Sequence, residues 1–194
     1  MLQNNRFRTV WCTYTFVSLG VLVAVNLILT RFFAINVGGF GRIQLGAVAR
    51  IMAGVWFGPA AALLCGLVSD LLGCLIQGYA VNPIITLAAM LWGFFPAILL
   101  PNQKASKKIK IIMLCVGTAL SCVVCTLVLT TAGLVLFNGY NLYAILPTRL
   151  TQFALQTPIY CVLVCLLYFS PVTTVVNQSL YSHLARKQQT AGSQ

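Results

Sequence analysis

The sequence predicts an all-α integral membrane protein, a polytopic bundle of six transmembrane helices with both termini cytoplasmic. Three observations predict it. Of the 194 residues, 60% are hydrophobic and 7% are charged, whereas a soluble domain carries about a quarter charged residues. The apolar runs reach the roughly 20 residues that cross a bilayer as helix. The basic residues, 12 Lys and Arg against the single acid Asp70, stand at the ends of those runs and not on one face of a domain. The net charge of +11 therefore reads as a set of topology signals in a lipid bilayer, with no nucleic-acid partner.

The first helix is expected over about residues 11–33. It lacks a small-residue cleavage pattern before its polar end, which argues against a removed signal peptide. The stretch 45–76 is divided by Gly58-Pro59, because proline fits the first turn of a helix and disfavours helical geometry in the residue before it. It is read as a hairpin of helices 45–58 and 59–76. Helices at 83–100, 109–136 and 146–170 follow, separated by the turn-like "GYAVNP" and "FNGYN" and by "PNQKASKK", which combines proline with charge. Residues 1–178 form one membrane domain and 179–194 a polar C-terminal tail.

Six spans put Arg6 and Arg8, then Lys104, Lys107, Lys108 and Lys110, then Arg186 and Lys187 on one side, which the positive-inside rule makes cytoplasmic. The loops 34–44, 77–82 and 137–145 then face outside, and Arg31, Arg42 and Arg149 break the pattern at that outer end. A single arginine near a helix end is expected to snorkel to the headgroups, and Arg42 fits that role. Arginines converging from different segments, with one acid in the chain to pair them, fit a cavity that accepts an anion. Guanidinium forks match carboxylates, and an unpaired buried cation is costly.

The last span, "LPTRLTQFALQTPIYCVLV", places Arg149, Gln152, Gln156 and Tyr160 three and four residues apart, on one helix face. A polar stripe in a membrane helix faces protein or water. Gln156 and Tyr160, deeper in the span, suit hydrogen bonding between helices; Arg149 and Gln152, beside the outer loop, suit a ligand. Asp70 lies well along the third helix, where a carboxylate is expensive unless paired or neutral. A structural ion pair with Arg50 of the neighbouring helix is the favoured reading, and proton coupling in a secondary transporter is its competitor.

Enzymatic chemistry has little to draw on. One Asp and one His, His183 in the tail, build neither an acid–base pair nor a nucleophile–base couple, so no enzyme is expected. Cys122-V-V-Cys125 has CxxC spacing, but no second pair completes a tetrahedral site, and small apolar packing is expected in place of a metal. No G-x-x-x-x-G-K-[ST] loop is present, and Gly39-Phe40-Gly41 lacks the third glycine and the preceding strand of a dinucleotide fingerprint. No cofactor is therefore expected.

The run "GRIQLGAVARIMAGVWFGPAAALLCGLVSDLLG", Gly41 to Gly73, resembles the signature of S components, the substrate-binding subunits of energy-coupling factor (ECF) vitamin transporters. Arg42-Ile43, Ala53-Gly54, Phe57-Gly58-Pro59 and Asp70 match in register. "NPIITLAAMLWGFFPAIL" is similar to the corresponding run of the folate-specific members, "LPTRL" with Gln152 resembles their final helix, and "LTRFF" resembles the arginine-bearing end of their first helix. There are departures: Arg50 stands where the family usually has isoleucine, Asn82 replaces the phenylalanine before proline, and the outer loop reads "GYAVNPI".

The resemblance implies a bundle that captures a vitamin from outside in a prokaryotic plasma membrane. It delivers the vitamin through a membrane scaffold subunit and two cytoplasmic ATPases. For a folate-like ligand, Tyr79, Trp92 and Phe33 would supply stacking faces and Arg31 and Arg149 the cations; Asn82, Thr86 and Gln152 would offer donors and acceptors to the ring edges. Gly20-V-L-V-Ala24 stands where relatives carry an A-x-x-x-A scaffold-docking motif, since small residues four apart let helix backbones approach closely. The glycines between Arg31 and Arg42 read as a loop able to open and close over the site. The alternatives are another vitamin or precursor, such as pantothenate or a queuosine precursor, and a free-standing small secondary transporter.

Overall fold

A computed structural model describes residues 11–33, 35–37, 41–100 and 105–191. Arg6, Arg8 and Lys104 lie outside the described residues, and only the backbone of Arg42, Arg186 and Lys187 is described. The chain runs as α1 (Thr13–Phe32), a short antiparallel ribbon of β1 (Ile35–Val37) and β2 (Gly41–Ile43), then α2 (Ala47–Phe57) and α3 (Pro59–Gln77). It continues through α4 (Pro83–Leu91), α5 (Phe94–Leu99), α6 (Lys107–Ser121), a π-helical segment (Cys122–Thr130), α7 (Thr131–Asn138), α8 (Leu142–Phe169) and α9 (Pro171–Ala191).

Among the described residues, four helices are long and apolar enough to cross a membrane: Thr13–Phe32, Pro59–Gln77, Lys107–Phe137 and Leu142–Phe169. Two shorter apolar stretches, Ala47–Phe57 and Pro83–Leu99, accompany them. The helical class is as expected, and the break at Gly58 falls where Gly58-Pro59 places it, with Gly58 at φ +100°. α2 is buried on nearly every side, as a helix apolar all round must be. It lies between two clusters. Val48, Ile51 and Met52 meet Trp92, Leu114, Tyr160 and Val164 on one side. Ala53 and Phe57 meet Leu19 and Val23 of α1, Ala61 and Cys65 of α3 and Leu180 of α9 on the other. Large apolar side chains such as Phe16, Val21 and Ile28 of α1 point outward, as lipid-facing residues do.

The structure departs from the sequence reading at four places. The 83–100 helix turns at Trp92-Gly93, because Pro96 has no N–H to return to Trp92 and Gly93 meets α2 so closely that a Cβ would collide with the Arg50 carbonyl. The 109–136 helix relaxes into π geometry in the middle; there Thr130 Oγ1 donates to Cys125 O at 2.6 Å and Thr131 Oγ1 to Thr126 O at 3.2 Å, both five residues back. The 34–44 connection contains the ribbon, with Ile35 opposite Ile43 and Asn36 opposite Arg42; the β-branched Ile35, Val37 and Ile43 favour extended backbone. Finally, the polar segment from residue 179 continues α9, which begins at Pro171 and runs to Ala191. Ser170 is extended, as a residue before proline tends to be, and Pro171 restarts the helix. Trp56 Nε1 then donates to Thr173 Oγ1 at 3.0 Å.

Candidate functional site

A cavity of about 510 Å³ opens among the helix ends that adjoin the ribbon and the 78–82 loop, a volume within the range of small-molecule sites. α1 contributes Asn26, Thr30 and Arg31; α2 and the residues before it give Gln44 and Arg50; α3 gives Ser69, Asp70, Gly73 and Gln77. Tyr79 and Asn82 come from the following loop, Trp92 from the end of α4, and Thr130 from the π segment. A π segment at a cavity wall is a frequent marker of function. Among the described residues, the charged members of this lining are Arg31, Arg50 and Asp70, a surplus of one positive charge.

Each charged group is held differently. Arg31 Nη2 donates to the Gly73 carbonyl at 2.6 Å, pinning α1 to α3. Arg50 Nη1 donates to the Ala89 carbonyl at 3.4 Å, and its Nε is buried without a partner. Asp70 Oδ2 accepts from the Thr86 hydroxyl at 2.7 Å. Asp70 and Arg50, expected as an ion pair, both line the cavity, and each also hydrogen-bonds α4. Ser69 Oγ and Asn26 Oδ1 are likewise buried without partners. Such orphans in a cavity wall mark polar capacity that a ligand or water has to meet.

Of the remaining expected site residues, Arg31, Tyr79, Asn82 and Trp92 are brought together in the lining. Tyr79 is 65% exposed at the mouth. Trp92 is buried in the wall, where the Tyr160 ring meets it edge-on with centroids 5.3 Å apart. Asn82 is engaged by the protein at both ends of its amide. Its Oδ1 caps α4 by accepting from Ile84 N at 3.1 Å, and its Nδ2 donates to Gly133 O at 3.0 Å. Thr86 sits behind the surface with its hydroxyl on Asp70. Phe33 ends α1 at 58% exposure, outside the lining.

Arg149 and Gln152 also lie outside the lining. Arg149 is 7% exposed and starts a ladder down one face of α8. Its Nη1 donates to Gln152 Oε1 at 2.9 Å, Gln152 Nε2 to Gln156 Oε1 at 3.4 Å, Gln156 Nε2 to the Tyr160 hydroxyl, and that hydroxyl to the Gln44 carbonyl. The ladder reaches the cavity wall at Gln44 and, through the Tyr160 ring, at Trp92. Gly20 and Ala24 are exposed on the outer face of α1, and a Cβ on Gly20 would meet nothing within 4 Å. Cys122 and Cys125 are packed in the core, and no group of three or more His, Cys, Asp or Glu is placed to hold a metal among the described residues.

Sequence reasoning passed over Asn26, Thr30, Gln44, Ser69, Gln77 and Thr130. Asn26 and Thr30 did carry a signal, since with Leu19 and Val23 they form one buried face of α1 at spacings of three and four. Ser69, Gly73 and Gln77 repeat every four residues along α3 in the same way.

The sequence model of the family described as "ECF-type riboflavin transporter, S component" matches residues 10–170. The folate transporter FolT of Clostridium novyi (strain NT) is 30% identical over 145 residues, covering 74% of this chain and 81% of that protein. A crystal structure of FolT bound with folic acid superposes with a TM-score of 0.68 at 27% identity, over 80% of this chain and 94% of that one. These are transporters and not enzymes. With a family match across most of its length, on a bundle whose cavity gathers residues from α1, α2, α3, α4 and the π segment, this chain belongs to the S-component family of energy-coupling factor transporters.

Proposed function

We propose that the chain is a folate-capturing S component, taking folate or a folate derivative from outside and handing it on through a shared membrane scaffold driven by two cytoplasmic ATPase subunits. The observation that carries the reading is the charge of the cavity: Arg31 and Arg50 against Asp70. A dianionic glutamate tail suits such a surplus, because a guanidinium buried without a counter-charge is costly and a ligand carboxylate removes that cost. Trp92 in the wall and Tyr79 at the mouth offer flat faces to a pteridine ring. The similarity to FolT over most of the chain supports the same ligand class.

Arg31 then receives a carboxylate with Arg50 as the second cation. Arg149 and Gln152 support the wall through Gln44, while Asn82 and Thr86 hold α4 in register and Phe33 flanks the rim. The six apolar stretches make six crossings with both termini cytoplasmic, in the plasma membrane of a prokaryote, and the cavity opens outward. The open face around Gly20 and Ala24 docks the scaffold, as small residues four apart permit.

A second reading has its own support, since the matching family model is named for riboflavin. Isoalloxazine stacks equally well on Trp92 but brings no carboxylate for the surplus arginine. Titration of purified protein in detergent with folate, 5-formyltetrahydrofolate, riboflavin, pantothenate and a queuosine precursor separates these readings. Saturable folate binding at micromolar concentration or below is the expected result. No saturable binding of either folate overturns the assignment, and riboflavin binding in its place transfers it to flavins.

A further inference from the structure

Asp70 is the sole acid in the sequence, and its hydrogen bond runs to Thr86 of α4 while that of Arg50 runs to the Ala89 carbonyl. It is half-buried in the cavity wall. The Thr86 hydroxyl lies 2.7 Å from Oδ2 and 3.1 Å from the Asn82 carbonyl; its one hydrogen serves the nearer, charged acceptor. That contact fixes the carboxylate's orientation from behind. Oδ1 receives no hydrogen bond from the described residues. A carboxylate held on one oxygen and open on the other, in a cavity wall, takes donors from whatever fills the cavity.

We infer that Asp70 is the specificity-determining residue of the site, selecting a ring edge with two adjacent N–H donors and rejecting an edge that presents carbonyls. The inference rests on the folate reading and sharpens it. A 2-amino-4-oxopteridine presents N3–H and its exocyclic 2-amino group side by side, and the two oxygens of a carboxylate accept both at once, as they accept an arginine fork. Thr86 occupies one lone pair of Oδ2 and leaves the others available. The corresponding edge of an isoalloxazine reads carbonyl, N–H, carbonyl, so an ionised carboxylate in the same position confronts one or both carbonyl oxygens. Discrimination by such a repulsive pairing adds to the attraction for the right ligand. The remaining charge follows: with Asp70 committed to the ring, Arg31 and Arg50 are left for the anionic tail.

The test compares folate with its 2-deamino-2-methyl analogue, which keeps the ring, the tail and the charge but lacks the amino donor, on the intact protein and on Asp70→Asn. The intact protein is expected to prefer folate by about 100-fold, the scale on which a site built for a hydrogen-bonding group rejects a ligand lacking it. Asp70→Asn is expected to lose folate affinity by a similar factor and change affinity for the analogue less than about threefold, so that the preference collapses. Equal binding of the two ligands by the intact protein overturns the inference while leaving the folate assignment standing, and that comparison decides even where the variant does not fold. Loss of both ligands alike in a folded Asp70→Asn protein, or unchanged folate affinity, also overturns it. No folate binding by the intact protein overturns the folate reading and this inference together.

Discussion

Arg31 and Gly73 meet across the α1–α3 interface with the guanidinium Nη2 2.6 Å from the glycine carbonyl oxygen. The contact depends on the missing side chain, because a Cβ on Gly73 would stand 2.7 Å from that same nitrogen. Gly73→Ala is therefore expected to swing Arg31 out of its position in the cavity wall while costing the helix nothing, alanine being the better helix former. Folate affinity should fall about tenfold, equivalent to about 1.4 kcal/mol, with the melting temperature in detergent unchanged. An unaltered affinity would remove Arg31 from the set of ligand contacts.

Tyr160 joins two parts of the wall at once. Its hydroxyl bonds the Gln44 carbonyl and its ring meets Trp92 edge-on. Tyr160→Phe removes the first and keeps the second. Hydrogen bonds between membrane helices average below about 1 kcal/mol, so thermal denaturation should show a loss of about that size or slightly less, since Gln44 O retains Gln156 Nε2 at 3.4 Å. Tyr160→Leu should in addition loosen Trp92 and weaken folate binding several-fold. Equal binding by the Phe and Leu variants would mean that Trp92 needs no support from Tyr160.

Local chemistry made the helices and the α8 stripe legible: Gly58-Pro59 must break a helix, and residues at spacings of three and four must share a face. The rotation of one helix against another is not written in either segment alone. Arg50 and Asp70 read as partners because they occupy adjacent helices and opposite charges attract; that α4 also offers one a carbonyl and the other a hydroxyl depends on packing at Gly93, Ala89 and Thr86. Gln44 reached the site through its backbone carbonyl, a group every residue has and no side-chain pattern reveals. Arg149 stood at the right end of the right helix, yet only the three-dimensional ladder shows that it meets the cavity through Gln156, Tyr160 and Gln44. The final helix was hidden by its polar composition, although Thr173, Val176 and Leu180, at spacings of three and four, give it a packing face.

Asn82 ties three backbone groups together, accepting from Ile84 N and Ile85 N and donating to Gly133 O. Loss of a helix N-cap costs about 1 kcal/mol, and the link to α7 adds to it. Asn82→Ala should lower stability in detergent by about 1–2 kcal/mol and leave the ratio of folate to 2-deamino analogue affinities as in the intact protein. A changed ratio with unchanged stability would move Asn82 from the frame of the cavity to its ligand-reading surface.

The outer face of α1 offers a way to separate capture from delivery. Gly20 and Ala24 lie one turn apart in a strip flanked by Phe16, Val17, Val21 and Val25, all exposed, and on the side of the helix away from Asn26, Thr30 and the cavity. A bulky group there touches nothing within the chain but prevents another helix backbone from coming close. Gly20→Trp should abolish co-purification with an energy-coupling factor scaffold subunit and leave folate affinity in detergent within about twofold of the intact protein, since no cavity residue is disturbed. Retained co-purification would place the docking surface elsewhere. Joint loss of docking and binding would mean that this face is needed to hold the bundle itself, since a helix packed only against lipid tolerates a larger apolar side chain at Gly20 without consequence for residues on its opposite face.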